Sequence, residues 1–294
     1  MPEYPDLELY KSHLVRRVLN EPLVALTLKS PFVLRTVEPA VSALIDRPVV
    51  EVRRLAKQLV ISFDSELHLV IHLMISGRLH WREPGDKKSA RNLIAEMVFA
   101  SGKVQFTEAS KKKRASLRVV DAQGLVGLDP GGLEVFAVDA DTFTERLQDS
   151  GHTLKRALTD QRIVAGIGNA YSDEILLRAK QSPFKLAARL SAQEGEALFD
   201  ACRSVLTQWS QRLAQECGEA FPKKVTAFHE QMIAHGKYRQ PCGVCGAPIQ
   251  RIRYAENEAN YCAGCQTDGK IFADRSLSRL LKGNWPKRLE DLEG

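Results

Sequence analysis

The first part of the chain carries short runs of apolar and β-branched residues separated by polar or glycine-containing turns, a pattern typical of strands. Between residues 22 and 125 these runs read LVALTL, PVVEVRRL, QLVISF, LHLVIHLM, LIAEMVFA, KVQFTE and SLRVV. Each run can bury an apolar face only against another layer of structure. The pattern therefore predicts one domain in which β-sheets pack face to face.

Helical spacing appears in two other parts of the chain. Near the start, apolar residues recur every three or four positions, at Leu7, Tyr10, Leu14 and Val18. This spacing predicts a helix over residues 6–19 with one buried face. Further segments with the same spacing lie between residues 141 and 215; they read TFTERLQ, AYSDEILLRAK and AQEGEALFDACRSVLTQWSQRLAQ. Turn signals and acidic residues around 130–140 predict a hinge before this helical part.

The composition is that of a globular protein, with 44% hydrophobic and 27% charged residues among 294. A net charge of +6 modestly favours a polyanionic partner. The start of the chain lacks the charged and apolar regions of a secretory signal. No run approaches the roughly 18–20 apolar residues of a membrane span. We therefore expect a cytoplasmic protein that does not bind a membrane.

Four of the six cysteines form two close pairs, Cys242-Gly-Val-Cys245 and Cys262-Ala-Gly-Cys265, with sixteen residues between them. In a reducing compartment such pairs are typical of metal ligands rather than disulfides. Zn²⁺ prefers four thiolates in a tetrahedron, and a two-residue gap lets one turn supply two of them. The spacing predicts one structural zinc ion on a β-hairpin, with no open position for catalysis. The alternative is a redox CxxC pair, a motif that usually occurs singly.

Two segments are candidates for contact with phosphate groups. Between the cysteine pairs, Arg251 and Arg253 alternate with apolar residues, so both can face a nucleic-acid backbone or simply water. Gly166 and Gly168 interrupt a helical pattern, and the helix that restarts near Asn169 can offer free N–H groups to a phosphate. A plain helix–turn–helix hairpin is the alternative for this second segment.

Several motifs, in chain order from residue 2 to about 266, resemble the formamidopyrimidine-DNA glycosylase and endonuclease VIII family. They are MPEYPDLELY at the start, RRLAK, QLVISF and IHLMISGRL in the strands, DQRIVAGIGNAYSDEIL, and PCGVCGAPI with YCAGCQ at the cysteines. The resemblance implies an α+β fold. Its expected parts are an antiparallel β-sandwich with flanking helices (1–130), a helix–two-turn–helix domain (131–240) and a zinc hairpin with a C-terminal extension (241–294).

The resemblance also implies a function, that of a bifunctional DNA glycosylase and abasic-site lyase in base excision repair. Its partner would be double-stranded DNA with a damaged base or an abasic site, bound by a monomer. Pro2, freed by removal of Met1, would attack the sugar and form a Schiff base, and β-elimination or β,δ-elimination would nick the strand. Glu3 would transfer protons, while Lys57 and Asn169 would contact the DNA backbone.

The amine chemistry agrees with this assignment. An α-amino group has a pKa of about 7.7–8.0, against about 10.4 for lysine, so far more of it is neutral and nucleophilic at pH 7. Proline is a secondary and somewhat more basic amine, but it forms a charged iminium directly, and that ion is a good electron sink. The alternative for Pro2 and Glu3 is that they simply begin a helix.

The chain departs from the family pattern at the residues that would read the lesion. Asn257 stands where the family's zinc hairpin usually carries an arginine. The sequence EASKKKR at residues 108–114 replaces an aspartate-proline-arginine-arginine-phenylalanine stretch and lacks its aromatic residue. Its cations remain candidates for contact with the DNA backbone; they are Lys111, Lys112, Lys113 and Arg114.

Other departures affect the void-filling turn, the segment before the cysteines and the tail. Met74 and Ile75 occupy the position of a family glycine–methionine pair, residues 221–240 diverge, and the tail after Cys265 is predicted to add a helix packed on the zinc hairpin. These differences point away from 8-oxoguanine opposite cytosine. Oxidised pyrimidines, ring-opened purines and bulky alkylated bases are the candidate lesions.

Two other functions fit parts of the pattern. A catalytically inactive damaged-DNA-binding protein would keep the scaffold without the chemistry. An RNA-binding or ribosome-associated zinc protein would share the two-turn helix motif and prefer structured RNA.

Overall fold

The computed structural model describes residues 1–223, 228–254, 257–273, 279–280 and 285–292. The chain forms two compact units. The first comprises residues 1–130 and 209–226, and the second comprises residues 131–208 and 227–294. The end of the first segment at Pro130 lies close to the predicted hinge. The predicted division of the later part at residue 240 stays a prediction.

Two four-stranded antiparallel sheets build the first unit, in the orders β2–β3–β4–β8 and β1–β6–β7–β5. The strands are β1 (Ala25–Leu28), β2 (Val49–Leu55), β3 (Gln58–Phe63), β4 (His68–His72), β5 (Gly77–Arg82), β6 (Leu93–Phe99), β7 (Gly102–Glu108) and β8 (Ser116–Val120). β5 is absent from the runs predicted from the sequence. Its alternate residues are partly exposed and mostly polar, so it has no continuous apolar run.

The core of the first unit lies where the apolar faces of these strands meet α1 (Tyr4–Val18). The four apolar residues of the predicted helix are fully buried, which confirms its buried face. Strand β3 is buried on both faces because Val60 packs on the other side, against Leu125 of the short helix α2 (Ala122–Val126). Tyr10 ties helix to sheet, since its hydroxyl accepts a hydrogen bond from the Leu79 N–H at 3.3 Å.

Helices dominate the second unit. They are α3 (Ala140–Gln148), α4 (Leu154–Thr159), α5 (Asn169–Arg178), α6 (Ala192–Cys217), whose last residues belong to the first unit, and α7 (Ala263–Gln266). A β-hairpin of β9 (Ile249–Tyr254) and β10 (Asn257–Cys262) completes it, with Ile252 opposite Ala259. Antiparallel sheets in one unit and helices with a hairpin in the other confirm the predicted α+β fold. Among the described residues, no helix combines the length and apolar character needed to span a membrane.

A tight turn at residues 73–77 joins β4 to β5 and displays Ile75, which is 53% exposed. The Gly77 N–H donates to the Leu73 carbonyl at 2.8 Å, and Met74 takes a positive φ of 51°. A Cβ atom on Gly77 would lie 2.3 Å from the Leu73 carbonyl oxygen. Glycine is therefore required here by close approach of the backbone.

We predict that Gly77→Ala destabilises the protein by about 1–3 kcal/mol, because the backbone of the turn must move to admit the methyl group. Urea unfolding of the variant and the parent measures the difference. Gly127→Ala is the matched control, since its new Cβ would come no closer than 3.4 Å to another atom. Equal unfolding midpoints for Gly77→Ala and the parent would show that the turn is not constrained.

Candidate functional site

The first three residues lead directly into α1, and two of them are buried. Pro2 is buried and Glu3 is 2% exposed, while the Met1 side chain is 37% exposed. The Glu3 N–H donates to the Asp6 carboxylate at 2.8 Å, and the Glu3 carbonyl accepts from the Leu7 N–H at 3.0 Å. These bonds close the first turn of the helix and hold the backbone at Glu3 in place.

Arg54 connects α1 with the turn between β2 and β3. Its guanidinium lies 4.5 Å from the centre of the Tyr4 ring and donates to the Glu8 carboxylate at 3.3 Å. The same group donates to the Ala56 carbonyl at 2.8 Å. Ala56 has a positive φ of 50°, and Lys57 follows it in the turn. Arg54 thereby brings the predicted Lys57 to the start of α1.

The N-terminal amine lies among charged groups of both signs. Burial lowers the pKa of the Met1 amine below its ordinary value of 8.0, and the positive charges of Arg78 and Lys57 lower it further. The carboxylates of Glu3 and Asp6 act in the opposite direction. The net result is that more of the amine is neutral at pH 7 than in an exposed chain start. The structure thus brings together the sequence-predicted Glu3 and Lys57 and adds Arg78 and Asp6.

A histidine next to this cluster is also missing from the sequence-based set. Burial lowers the pKa of His72 to about 4, and the charges of Arg118 and Lys57 contribute to the shift. The neutral ring accepts a hydrogen bond at Nδ1 from the Met74 N–H at 3.0 Å. His72 therefore helps to hold the turn that displays Ile75. A single histidine in a strand pattern gives no signal of this kind.

The cationic run forms a loop between β7 and β8. One oxygen of the Glu108 carboxylate, Oε1, accepts from the N–H groups of Arg114 and Ala115 at 2.9 and 3.2 Å. The Lys113 ammonium donates to the Glu108 carbonyl at 2.6 Å. Residues 111–114 are all exposed. Glu108 thus fixes the loop backbone, and the residues that carry the four cations are exposed.

In the second unit, Gln161 shapes the glycine turn before α5. Its amide nitrogen donates to the Ile167 carbonyl at 2.8 Å, and its amide oxygen accepts from the Gly166 N–H at 2.8 Å. Gly166 takes a positive φ of 82°, which glycine adopts without strain. Gly168 caps α5, and Asn169 begins it with a half-buried side chain. The turn and the helix start therefore have the arrangement that the sequence predicts.

A buried ion pair supports the start of α5. The Lys155 ammonium donates to the Asn169 carbonyl at 2.9 Å, to the Ser172 hydroxyl at 3.1 Å and to the Asp173 carboxylate at 2.5 Å. The Lys155 and Asp173 side chains are 12% and 0% exposed. Because both charges are nearly out of water, each depends on the other. Lys155 thus holds the backbone at Asn169.

The same carboxylate extends the network to the hairpin. The other oxygen of Asp173 lies 2.9 Å from His235 Nδ1 and accepts from the Asn260 amide at 3.1 Å. Next along α5, the Glu174 carboxylate accepts three backbone N–H groups from residues 233–235. Two adjacent acidic residues of one helix therefore position a loop and strand β10.

The four paired cysteines converge. Their sulfur atoms lie within 4.8 Å of one another, with Sγ–Sγ distances of 4.0 Å between Cys242 and Cys265 and 3.3 Å between Cys245 and Cys262. A tetrahedral zinc ion with Zn–S bonds of about 2.3 Å separates its ligands by about 3.8 Å. The thiols therefore fit the geometry of a four-sulfur zinc site, and the structure brings all four predicted metal ligands together.

The two hairpin arginines differ in their surroundings. Arg251 lies 4.4 Å from the centre of the Tyr238 ring, and its guanidinium is 3.9 Å from the Glu258 carboxylate. Arg253 is opposite Glu258 in the hairpin and is exposed. Asn257 is also exposed, at the start of β10. Arg251 is thus committed to contacts within the unit, whereas Arg253 faces water.

Part of the C-terminal tail packs on the hairpin. Phe272, Trp285 and Leu289 join Tyr261 in one apolar cluster, and the Phe272 N–H donates to the Tyr261 hydroxyl at 2.8 Å. Most of the predicted tail helix, at residues 274–278 and 281–284, lies outside the described residues, as do residues 255 and 256 of the hairpin tip and residues 224–227 of the segment before the cysteines.

Comparison with known families matches almost three quarters of the chain. Residues 1–125 match the formamidopyrimidine-DNA glycosylase N-terminal domain, and residues 126–214 match the formamidopyrimidine-DNA glycosylase H2TH domain. The chain belongs to the formamidopyrimidine-DNA glycosylase family. This membership confirms the resemblance seen in the sequence.

Members of this glycosylase family are similar to the chain over most of its length. The formamidopyrimidine-DNA glycosylase of Herpetosiphon aurantiacus is 30% identical over 279 residues, which cover 90% of this chain and 100% of that protein. The Thermus thermophilus protein of the same name is 28% identical and covers 92% of this chain. The Lactococcus lactis Fpg (MutM) structure, a complex with FAPY-dG-containing DNA, has a TM-score of 0.79 at 23% identity and covers 90% of this chain. That likeness shows the shared fold.

We predict a pH dependence from the buried Asp6. Burial raises its pKa from the ordinary 3.8 to about 7. A carboxyl whose folded pKa is raised weakens the fold once the unfolded chain can ionise, so the contribution of Asp6 to stability should fall as pH rises from about 4 to 7. The lowered pKa of His72 acts in the opposite direction over part of this range, so the Asp6 component, about 1.4 kcal/mol per pH unit at most, is measured as the difference between the parent and a variant without the carboxyl. Urea unfolding across this range measures it.

The variant Asp6→Asn should remove this component of the slope, since asparagine does not titrate. The exposed Asp64 provides the matched control, and Asp64→Asn should retain it. The same dependence of stability on pH in the parent and in Asp6→Asn would contradict the burial of an ionisable group at this position.

Proposed function

We propose that the protein is a bifunctional DNA glycosylase and abasic-site lyase of base excision repair, with Pro2 as its nucleophile. The observation that carries this proposal is the buried chain start, where Pro2 and Glu3 are buried and the preceding Met1 amine lies among the Glu3 and Asp6 carboxyls and the Lys57 and Arg78 cations. Family membership supplies the glycosylase activity. The proposal assumes that Met1 is removed, so that the α-amine belongs to Pro2.

The reaction begins with the neutral Pro2 nitrogen, which donates its lone pair to C1′ of the damaged nucleotide. The C1′–N bond to the base breaks, and the Glu3 carboxyl protonates the departing base. The Glu3 carboxylate then takes the proton of the Pro2 nitrogen and transfers it to the sugar ring oxygen. Opening of the C1′–O4′ bond leaves a charged iminium between Pro2 and the sugar.

Strand cleavage follows from the iminium as an electron sink. Removal of a C2′ proton lets the electron pair move toward the iminium, and the C3′–O bond breaks with the phosphate as leaving group. A second elimination at C5′, while the iminium is still in place, would give the β,δ product. Water then hydrolyses the iminium and releases the Pro2 amine. Each step uses only water and the protein's own acid–base groups.

The remaining predicted residues are assigned to backbone contact rather than to sequence reading. Lys57 is proposed to bind a phosphate near the attacked sugar, and Asn169 to bind phosphate through its side chain and the helix N–H groups. The exposed cations at 111–114 and Arg253 add charge for the same purpose. Such contacts suit an enzyme that inspects any sequence and extrudes the damaged nucleotide, a step that is easiest at damaged pairs.

The partner is proposed to be double-stranded DNA with a damaged base or an abasic site, bound by one copy of the chain. The Lactococcus lactis protein of the same fold is bound to a DNA that contains FAPY-dG. In this chain the lesion-reading segments differ from the family pattern, so the excised base is proposed to be a lesion other than 8-oxoguanine opposite cytosine.

A zinc ion would be held by the four cysteines and would close the hairpin. The thiols supply all four ligands, so the ion would have no open position for water or substrate. Its contribution would be to fold a hairpin too small to be stable by burial alone. Arg251, Arg253 and Asn260 all lie on this hairpin, so its order determines where they are placed.

We predict that borohydride traps the protein on DNA containing an abasic site, because reduction fixes the iminium as a stable bond. Digestion and mass spectrometry should locate the adduct on a peptide that begins at Pro2. A form with extra residues before Pro2 is the control, and it should give no adduct at this residue. Glu3→Gln should keep binding DNA but lose base excision.

An absence of any trapped species with abasic DNA and a lesion panel would contradict the lyase activity. It would favour an inactive DNA-binding protein on this scaffold. An adduct on a lysine peptide instead would refute Pro2 as the nucleophile while leaving the activity intact.

We predict one zinc ion per chain, bound tightly enough to survive dialysis and released by a strong chelator or by Cys262→Ser. Elemental analysis measures the stoichiometry, and DNA affinity should fall with the metal because the hairpin unfolds. Cys217→Ser is the control, since that cysteine lies outside the cluster and its replacement should retain the zinc. Purified protein that folds and binds DNA with no zinc, or with another metal in its place, would refute the assignment.

A further inference from the structure

An exposed aromatic side chain in the first unit lies beside the cationic loop. Phe32 is 72% exposed, in the middle of a 3₁₀ turn at Pro31–Val33. A single exposed apolar residue is ordinary on a protein surface and carries no meaning by itself. The charged neighbours of Phe32 indicate what the exposed ring can bind.

The segment that carries Phe32 is attached to the cationic loop. Phe32 and Val33 line the same shallow depression as Glu108 and Lys113. The exposed Arg35 donates from Nη2 to the Lys113 carbonyl at 3.4 Å. Phe32 therefore lies beside Lys113 and on the same segment as the exposed Arg35, and the loop that contains Lys113 also carries the exposed Lys111, Lys112 and Arg114.

The ring is displayed on a fixed backbone. Val33, the next residue, is 3% exposed and belongs to the main core. Leu34 forms a parallel bridge with Leu117 at the start of β8, and the Arg35 N–H donates to the Leu117 carbonyl at 2.9 Å. Because these bonds already hold the turn, a partner that contacts Phe32 does not have to order it first.

We propose that Phe32 stacks on a nucleobase of the bound DNA, at the gap that opens when the damaged nucleotide leaves the helix. This inference rests on the proposed function. The run EASKKKR supplies charge for the phosphates but contains no aromatic residue. Phe32 supplies that missing ring from a different segment of the same surface. Aromatic side chains among cations are the usual means of holding unpaired bases.

The cations near Phe32 favour DNA over a protein or a lipid as the partner of the ring. An apolar protein surface or a lipid tail would gain nothing from the cations on the segment and the loop beside this ring, and a single phenyl group is far smaller than a stable protein interface. DNA offers both complementary features, phosphates for the cations and a flat apolar face on each base. A base left without its neighbour in the stack is the one most available to the ring.

The test compares a duplex that contains a tetrahydrofuran abasic analogue with an undamaged duplex of the same sequence. The base opposite the analogue is 2-aminopurine, whose fluorescence falls when an aromatic ring stacks on it. Phe32→Ala should weaken binding to the abasic duplex by about five- to a hundred-fold and remove the quenching. Its affinity for the undamaged duplex should be unchanged. Phe32→Tyr should retain both the affinity and the quenching.

Val126→Ala is the matched control, since Val126 is 75% exposed in the same unit and lies outside the depression. It should leave both duplexes unaffected. Phe32→Ala should unfold at the same urea concentration as the parent, because its ring is mostly in water. A changed midpoint would be resolved by Phe32→Leu, which keeps apolar bulk and should still lose the quenching.

Parental affinity and quenching in Phe32→Ala would overturn the inference, and so would an equal loss of affinity for both duplexes. Borohydride trapping separates this outcome from a failure of the proposed function. If borohydride traps the parent and Phe32→Ala keeps the parental affinity and quenching, only the role of Phe32 is refuted. A parent that never traps refutes the enzyme, whatever Phe32 does.

Discussion

A carboxyl group is costly to bury unless charges or N–H donors face it, and the first unit buries two of them, Glu3 and Asp6, at the start of α1. Asp6 accepts from the backbone of Glu3, and both lie near the chain-terminal amine, Lys57 and Arg78. The helix, the β2–β3 turn and the start of β5 must all be correctly placed for these charges to balance. The sandwich thus acts as a frame that brings three distant segments to one amine.

The second unit uses the same principle on α5. Asp173 is fully buried and is satisfied by Lys155, His235 and Asn260, which come from a helix, a loop and a strand far apart in sequence. Glu174 beside it anchors the loop through three backbone N–H groups. Such networks stabilise little when compared with apolar packing, but breaking one member leaves a buried charge unpaired. Each unit is therefore specified by charges that no single segment could satisfy.

Much of the fold follows from the sequence, because periodic apolar residues and paired cysteines are local signals. The runs in β1, β2, β3, β4, β6, β7 and β8 and the long helices are visible in this way. β5 is not among the predicted runs, because Leu79 and Trp81 are the only large apolar residues among its six. Arg78, Asp6 and His72 could not be assigned either, because their roles depend on neighbours contributed by other segments. The proposed role of Phe32 could not be predicted from the sequence either, because it depends on a loop about eighty positions later in the chain.

The link between Asp173 and Asn260 has a consequence for oxidative stress. Asn260 lies two positions before Cys262, so the strand that satisfies the buried aspartate is the strand that carries one of the four clustered thiols. Oxidation of these thiols to disulfides or sulfinic acid would remove their capacity to hold a metal ion and would loosen this strand. Asp173 would lose a donor, and the lysine that holds Asn169 would face a poorly solvated carboxylate. Oxidising conditions that damage bases would thus also weaken the binding of DNA by the protein, because oxidation of the thiols disturbs the contacts that lead from β10 through Asp173 to Asn169.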